Sequence, residues 1–319
     1  MERLTVIGSG TMGHSIALNA AWAGIQVIMY GIDKPDIDRG LSAIESKLKV
    51  LCENGLITTL ECEETLKRIL TSTSLDEAIG TATFIIETIP EDLQLKNNLF
   101  LELDRKCHAD VILASNTSGL SITKISEGVL NTKRIMITHF WNPAHLIPLV
   151  EVFRTTATED KYFERAIAML NLMGKKTIEV KKEVPGLIGN RLQFALLREA
   201  QYLLEHGIAS KEDIDHAVTY SIGRRLSVSG PLMSADMGGL DVFESVSAYL
   251  FKDLSNAGYS SGIKHLVDKN NLGCKTGKGY YTWNDDQSLT MNKKREQELI
   301  RLLKEDRRQN ALTENKKSN

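Results

Sequence analysis

The sequence predicts an α/β protein: a mostly parallel sheet layered with helices, carrying a helical insertion, and then an all-helical second part. Three observations carry this reading. Short apolar runs alternate with helical periods from residue 4 to about 180. A glycine-rich turn joins the first run to the first helix. Beyond Pro185-Gly186 the strand-like runs cease and helical periods take over. These place one domain at residues 1–184 and a second at 185–319.

Leu4–Ile7 is a strand that enters Gly8-Ser9-Gly10-Thr11-Met12-Gly13 and then the helical run His14–Ala23; Gln26–Tyr30 is the next strand. This strand–turn–helix–strand order around G-x-G-x-x-G marks a Rossmann-like dinucleotide site. Gly8 allows the tight turn, Gly10 lets backbone approach a pyrophosphate, and Gly13 lets helix and strand pack closely. The unpaired N–H groups at Thr11 and Met12 and the positive helix end favour phosphate. The second strand of such a unit ends in an acidic residue that binds the adenosine ribose, but Gly31 stands there. Asp33 could reach the ribose from the loop, which favours NAD. Gly31 with Lys34 could instead accept a 2′-phosphate, leaving NADP open. NAD is the preferred reading.

Asp36 is placed as the cap of a helix through Leu51, and a shorter helix covers roughly Glu61–Ile69. This pair is the helical insertion, either scaffold or a wall for a long substrate with Lys47 and Lys49 available to phosphates. Strands follow at Ala82–Thr88 and Val111–Ala114, around a helix from Asp92 to about Cys107. Ligands bind at the carboxyl ends of strands in such sheets, so Glu91, Asn116 and Ser118 fall on the ligand side.

Two β-rich runs, Ile135–His139 and Leu146–Phe153, flank the turn signal Asn142-Pro143. If they fold back as antiparallel neighbours, the midpoint of His139 and Glu151, position 145, lies in the connection, and the two side chains could then sit opposite each other. A carboxylate beside an imidazole fixes its tautomer, which equips a histidine as a general base. A helix at Asp160–Met173 and a strand at Thr177–Val180 close the first domain. Helices then cover roughly 189–206, 211–220, 239–254 and 262–269. A glycine-rich loop spans Gly273–Tyr280, an amphipathic helix spans Asn292–Arg308, and the polar last residues are expected to be disordered.

The bulk numbers exclude several classes. The 319 residues suffice for two cores, and 39 basic against 41 acidic residues leave no excess for nucleic acid or an anionic membrane. Four cysteines, far apart and without C-x-x-C, argue against disulfides and a metal site. No apolar run reaches the length of a membrane span, and no signal sequence is apparent, so a cytoplasmic location is expected.

With the cofactor turn, Ser115-Asn116-Thr117-Ser118, His139-Phe140-Trp141-Asn142-Pro143, Gly189-Asn190-Arg191 and Lys275-Thr276-Gly277-Lys278-Gly279 in this order, the chain resembles the L-3-hydroxyacyl-CoA dehydrogenase family over residues 1 to about 283. The resemblance implies a histidine base, His139, held by Glu151, with Ser118 and Asn190 bonding the reacting oxygen. It implies nicotinamide-side contacts from Glu91, Lys96, Asn142 and Lys275, an inter-domain active site with a hinge near Pro185-Gly186, and dimerisation through the helical half. Ala144–Leu149 and the added C-terminal helix look more like the branch that oxidises L-gulonate or L-carnitine, with its λ-crystallins. The glycine-rich loop looks like the 3-hydroxybutyryl-CoA enzymes. The expected substrate is a short 3-hydroxyacyl-CoA, with a free 3-hydroxy acid as the alternative. A non-catalytic nucleotide-binding or structural protein is the reading from another class, disfavoured by the His–Glu pair. The 3-hydroxyisobutyrate type is disfavoured because Pro185–Arg191 holds no lysine.

Overall fold

The structure, a computed structural model, describes residues 2–317, with side chains to Gln309. Its eight strands among these residues are β1 (Arg3–Ile7), β2 (Gln26–Tyr30), β3 (Ile69–Ser72), β4 (Phe84–Glu87), β5 (Ile112–Ser115), β6 (Ile135–Phe140), β7 (Leu149–Arg154) and β8 (Lys176–Val180). They form one sheet in the order β3-β2-β1-β4-β5-β6-β7-β8. All neighbours are parallel except β6 and β7. Strands β4, β5 and β6 are buried along their whole length, as expected of strands covered on both faces. Alternate side chains feed two cores. Leu4, Val6, Phe84 and Ile86 point to one, and Ile7, Ile85, Leu113 and Ile137 to the other.

The helices of this part are α1 (Thr11–Trp22), α2 (Lys34–Glu53), α3 (Thr59–Lys67), α4 (Leu75–Ile79), α5 (Leu93–Lys106), α6 (Ile122–Ile125) and α7 (Asp160–Leu172). Helices α2 and α3 are the expected insertion. Strand β3 was not expected; the helix proposed through Ile69 ends at Lys67, and Ile69 begins an edge strand beside β2. Asp36 does not cap α2. Asp33 does, its Oδ1 accepting from the Asp36 N–H at 2.8 Å.

The second part holds α8 (Gly189–Glu205), α9 (Lys211–Ala217), a π-turn at Val218–Ile222, α10 (Gly223–Leu226), α11 (Pro231–Gly238), α12 (Leu240–Asp253) and α13 (Ser261–Asp268). A last helix, α14, runs over Asp285–Lys317, so the expected disordered tail is helical as far as Lys317. The chain divides into one unit of residues 1–188 and 294–319, and another of Gly189–Lys293. These compact units differ from the expected partition at residue 185 in two places. Leu187 is buried in the core of the first unit and Ile188 donates to Glu151, so the boundary falls after them. The later part of α14 returns to the first unit because Ile300 is buried in its core, beside Leu299 and Leu303, while Arg307 stacks on Trp22 at 4.1 Å. Among the described residues, no helix is long and apolar enough to cross a membrane.

The β6–β7 connection is locked from below. Asn142-Pro143 is cis, and the Leu146 and Ile147 N–H groups both donate to the Pro143 carbonyl. Buried Lys175 donates to the Ala144 and Ile147 carbonyls, the latter at 3.0 Å. Buried His145 meets the Ser15 hydroxyl at 2.9 Å. Burial first, then the charges of Lys47 and Lys175, push the His145 imidazole down to about 3.

Lys175→Ala should therefore lower unfolding stability by about 2–4 kcal/mol in urea, since two buried carbonyls lose a donor and a cavity opens. The unfolded chain takes up a proton at His145 near its ordinary 6.5 and the folded chain only near 3. Stability from this group is thus full above 6.5 and lost as pH falls toward 3. His145→Asn should flatten that part of the thermal-melting profile; an unchanged slope would show that His145 does not contribute.

Candidate active site

At the glycine turn, Gly8 has a φ of +110°, which favours glycine. A Cβ on Gly13 would lie 1.8 Å from the Gly8 carbonyl oxygen, so α1 rests directly on the turn. Around Gly10, by contrast, nothing lies within 4 Å of a built Cβ, and Gly10 and Thr11 are exposed, with Met12 partly so. Helix α1 starts at Gly10 without a side-chain cap, whereas α2 to α6 are each capped by an Asp, Thr or Ser side chain. An open, uncapped helix start facing away from the sheet fits a pyrophosphate.

The antiparallel register of β6 and β7 pairs His139 with Glu151. Histidine Nδ1 lies 2.8 Å from Glu151 Oε2, and both side chains are buried. The carboxylate also accepts from Trp141 Nε1 at 3.2 Å and from the Ile188 N–H at 2.8 Å. With Nδ1–H donating to the carboxylate, Nε2 is left as acceptor, and the Ser118 Oγ lies 3.1 Å from it. Ser118, His139 and Glu151 thus form one hydrogen-bonded line at the carboxyl ends of β5 and β6.

The Ser118 loop is held by a second polar group. Glu91 Oε1 accepts from Thr117 Oγ1 at 2.6 Å and from the N–H groups of Ser118 and Gly119 at 3.0 and 3.1 Å. Burial raises the Glu91 carboxyl, but the Thr117 hydroxyl, the Lys96 charge and the two N–H groups outweigh it and hold the carboxyl below its usual range. Lys96, expected to contact nicotinamide, is turned inward instead. It is 1% exposed, and its ammonium meets Glu87, the Ile89 carbonyl at 3.2 Å and Glu91 at 3.4 Å. Glu87 also accepts from Ser115 Oγ at 2.6 Å. Burial raises the Glu87 carboxyl against the pull of Lys96. The Lys96–Glu87 pair therefore braces Glu91. Sequence reasoning missed Glu87, Ser115 and Thr117, although Glu87 and Ser115 sit at the carboxyl ends of β4 and β5, where the sheet rule points.

The remaining expected residues fall in different places. Asn116 Oδ1 accepts from the Phe140 N–H at 2.8 Å and ties β5 to β6 beside His139. Asn142 is exposed at the cis turn. Exposed Asp33 is engaged as the α2 cap. Asn190 lies in the first turn of α8, and exposed Lys275 lies in the turn bridged by Gly273 and Lys278; both belong to the second unit. Among the described residues there is no cluster of His, Cys, Asp or Glu able to hold a metal ion.

Residues 3–184 match the model of the 3-hydroxyacyl-CoA dehydrogenase NAD-binding domain, and residues 186–283 match that of the 3-hydroxyacyl-CoA dehydrogenase C-terminal domain. The chain belongs to the 3-hydroxyacyl-CoA dehydrogenase family. It is an NAD-dependent oxidoreductase acting on a CH–OH group. Its relatives include a 5-formyl-3-hydroxy-2-methylpyridine 4-carboxylate 5-dehydrogenase of Mesorhizobium japonicum, 31% identical over 94% of this chain and 96% of the relative. A probable 3-hydroxybutyryl-CoA dehydrogenase of Bacillus subtilis is 34% identical over 90% of this chain and 99% of the relative. Among solved structures, a 5-formyl-3-hydroxy-2-methylpyridine 4-carboxylic acid 5-dehydrogenase described as an NAD+-dependent dismutase superposes with a TM-score of 0.88. It is 32% identical, and the match covers 95% of this chain and 99% of that one.

Removing the carboxylate charge tests the line of three residues. Glu151→Gln should lower kcat by about 100-fold, the scale of one general acid–base contribution. NADH affinity, read by fluorescence titration, should stay within a factor of two to three of the parent, about 0.5 kcal/mol. Equal losses in both would make Glu151 only a structural brace.

Proposed function

We propose that the protein oxidises the hydroxyl of a small free hydroxy acid to the carbonyl, and runs the reverse, with His139 as general base. The observation that carries this is the Ser118–His139–Glu151 line, in which Nε2 of His139 meets the Ser118 hydroxyl and Nδ1 meets Glu151. Bound NAD supplies the hydride acceptor. His139 takes the hydroxyl proton at Nε2, while Glu151 keeps Nδ1 protonated and the ring in place. The Ser118 hydroxyl bonds the reacting oxygen as charge develops on it. In reduction, His139 returns the proton.

Two observations favour a free acid over the CoA ester expected from the glycine-rich loop. Lys47 is half-buried, pushed down from the usual lysine range by burial against the pull of Glu296 on α14. Lys49 lies 3.9 Å from Glu53 on the next turn. The insertion thus keeps Lys49, 77% exposed, open to a phosphate, and only Lys47 is withdrawn by burial. One relative matched over nearly all of both chains is a dehydrogenase whose name gives a free pyridine carboxylate. The CoA-ester reading is the second one, supported by the 3-hydroxybutyryl-CoA relative. A homodimer is inferred from the apolar side chains on the second unit, with Leu232, Met237 and Phe251 at 84%, 78% and 73% exposure. A cytoplasmic location accords with the four free cysteines.

The test is a spectrophotometric panel: acetoacetyl-CoA reduction against oxidation of L-gulonate, L-carnitine and L-3-hydroxybutyrate. Turnover of free acids alone is the expected result; turnover of the CoA ester alone would replace this substrate class with the other. His139→Gln should reduce turnover of whichever substrate is active by about 10²–10⁴-fold. A rate equal to the parent's would remove His139 from the base role.

A further inference from the structure

We propose that Asp36, from the first turn of α2, reads the adenosine ribose of NAD and sets the preference for NAD over NADP. In a dinucleotide-binding unit the acidic residue that bonds the ribose hydroxyls projects from the end of the second strand. Here that position is Gly31, directly after β2, and it carries no side chain. The space is already taken. A Cβ built on Gly31 would lie 2.7 Å from Ile37 Cγ1, 3.2 Å from Asp36 Oδ2 and 3.2 Å from Ser9 Oγ. A carboxylate oxygen of Asp36 therefore stands where the missing side chain would begin.

The surroundings hold it there. The Ser9 hydroxyl, inside the glycine turn, donates to Asp36 Oδ2, and Arg39 Nη2 donates to Oδ1 at 3.0 Å. Ser9 is buried and the Asp36 side chain is 20% exposed, so the carboxylate is fixed but reachable. Gly40 is the reason α2 can come so close: a Cβ there would lie 3.1 Å from the Ser9 carbonyl oxygen. Asp33, the other acidic residue of this loop, is exposed and caps α2 through Oδ1. Its place is explained by the helix start alone.

The same geometry gives the discrimination. A carboxylate accepts hydrogen bonds from two ribose hydroxyls and repels a 2′-phosphate. Arg39, 70% exposed, gives one N–H group to Asp36, which orients its guanidinium there. Neutralising Asp36 removes the acceptor charge and releases the guanidinium together.

The experiment is titration of Asp36→Asn and Asp33→Ala with NADH and with NADPH, read by fluorescence, so that it does not depend on knowing the substrate. For Asp36→Asn the NADH Kd should rise about 10-fold or more, the scale of a hydrogen bond to a charged group, while the NADPH Kd holds or falls. Asp33→Ala should leave the ratio of the two constants unchanged and lower only the melting temperature. Equal weakening of both cofactors by Asp36→Asn, or a ratio that moves with Asp33 instead, overturns the proposal. If Asp36→Asn does not fold, Asp36→Ser, which keeps a hydroxyl for Ser9, carries the same test.

Discussion

A buried carboxylate is the constraint around which this sheet is arranged. Glu151 is wholly buried, and an ionised group in that position is tolerated only when each oxygen is satisfied. Its partners include the imidazole of His139 on the next strand, the indole of Trp141 beyond that strand's end, and the Ile188 N–H ahead of α8. The single antiparallel pair in the sheet is what makes this possible. Two strands joined by a short connection can hold side chains opposite each other near the turn, whereas parallel neighbours require a long crossover. The cis turn, Lys175 and His145 fix the length and path of that connection, so they fix which residue faces Glu151.

A second buried ion pair supports the first group at a distance. Lys96 and Glu87 are both essentially inaccessible, and neither touches His139 in the network described above. Their joint effect passes through Glu91, which gathers a hydroxyl and two N–H groups of the Thr117–Gly119 turn. That turn presents the Ser118 hydroxyl to Nε2. Glu91 thus has a structural task, and Lys96 holds it through the same buried cluster.

Much of this was legible in the sequence where a local rule applies. The glycine turn follows from spacing and flanking elements. The facing of His139 and Glu151 needs a connection centred on position 145, which two β-rich runs around Asn142-Pro143 allow but do not fix. What escaped depended on tertiary direction. A lysine four residues into a helix carries no mark of whether it points inward, so Lys96 was read as a contact. Strand β3 is four residues at an edge, with Ile69 buried and Leu70 at 58% exposure, too short for a period to show. The cap of α2 was readable: Asp33-Lys34-Pro35-Asp36 has an acceptor before a proline in the first helical turn. The apolar side of α14 was also visible as Leu299, Ile300, Leu302 and Leu303. Which surface it covers was not, because one amphipathic pattern fits any complementary core.

The position of Ile188 links chemistry to architecture. It ends the first of the two segments that make up the first unit, and its N–H donates to the Glu151 oxygen that does not face His139. Leu187, just before it, is buried with a φ of 49°, an uncommon conformation for a leucine that its surroundings must over-determine. The expected hinge at Pro185-Gly186 therefore cannot act as a loose tether on its downstream side. Moving that segment would strip a donor from a buried carboxylate and release Leu187 from its core. Any motion of the helical unit that begins at Gly189 must either start beyond Ile188 or be felt at Glu151, and through it at the imidazole.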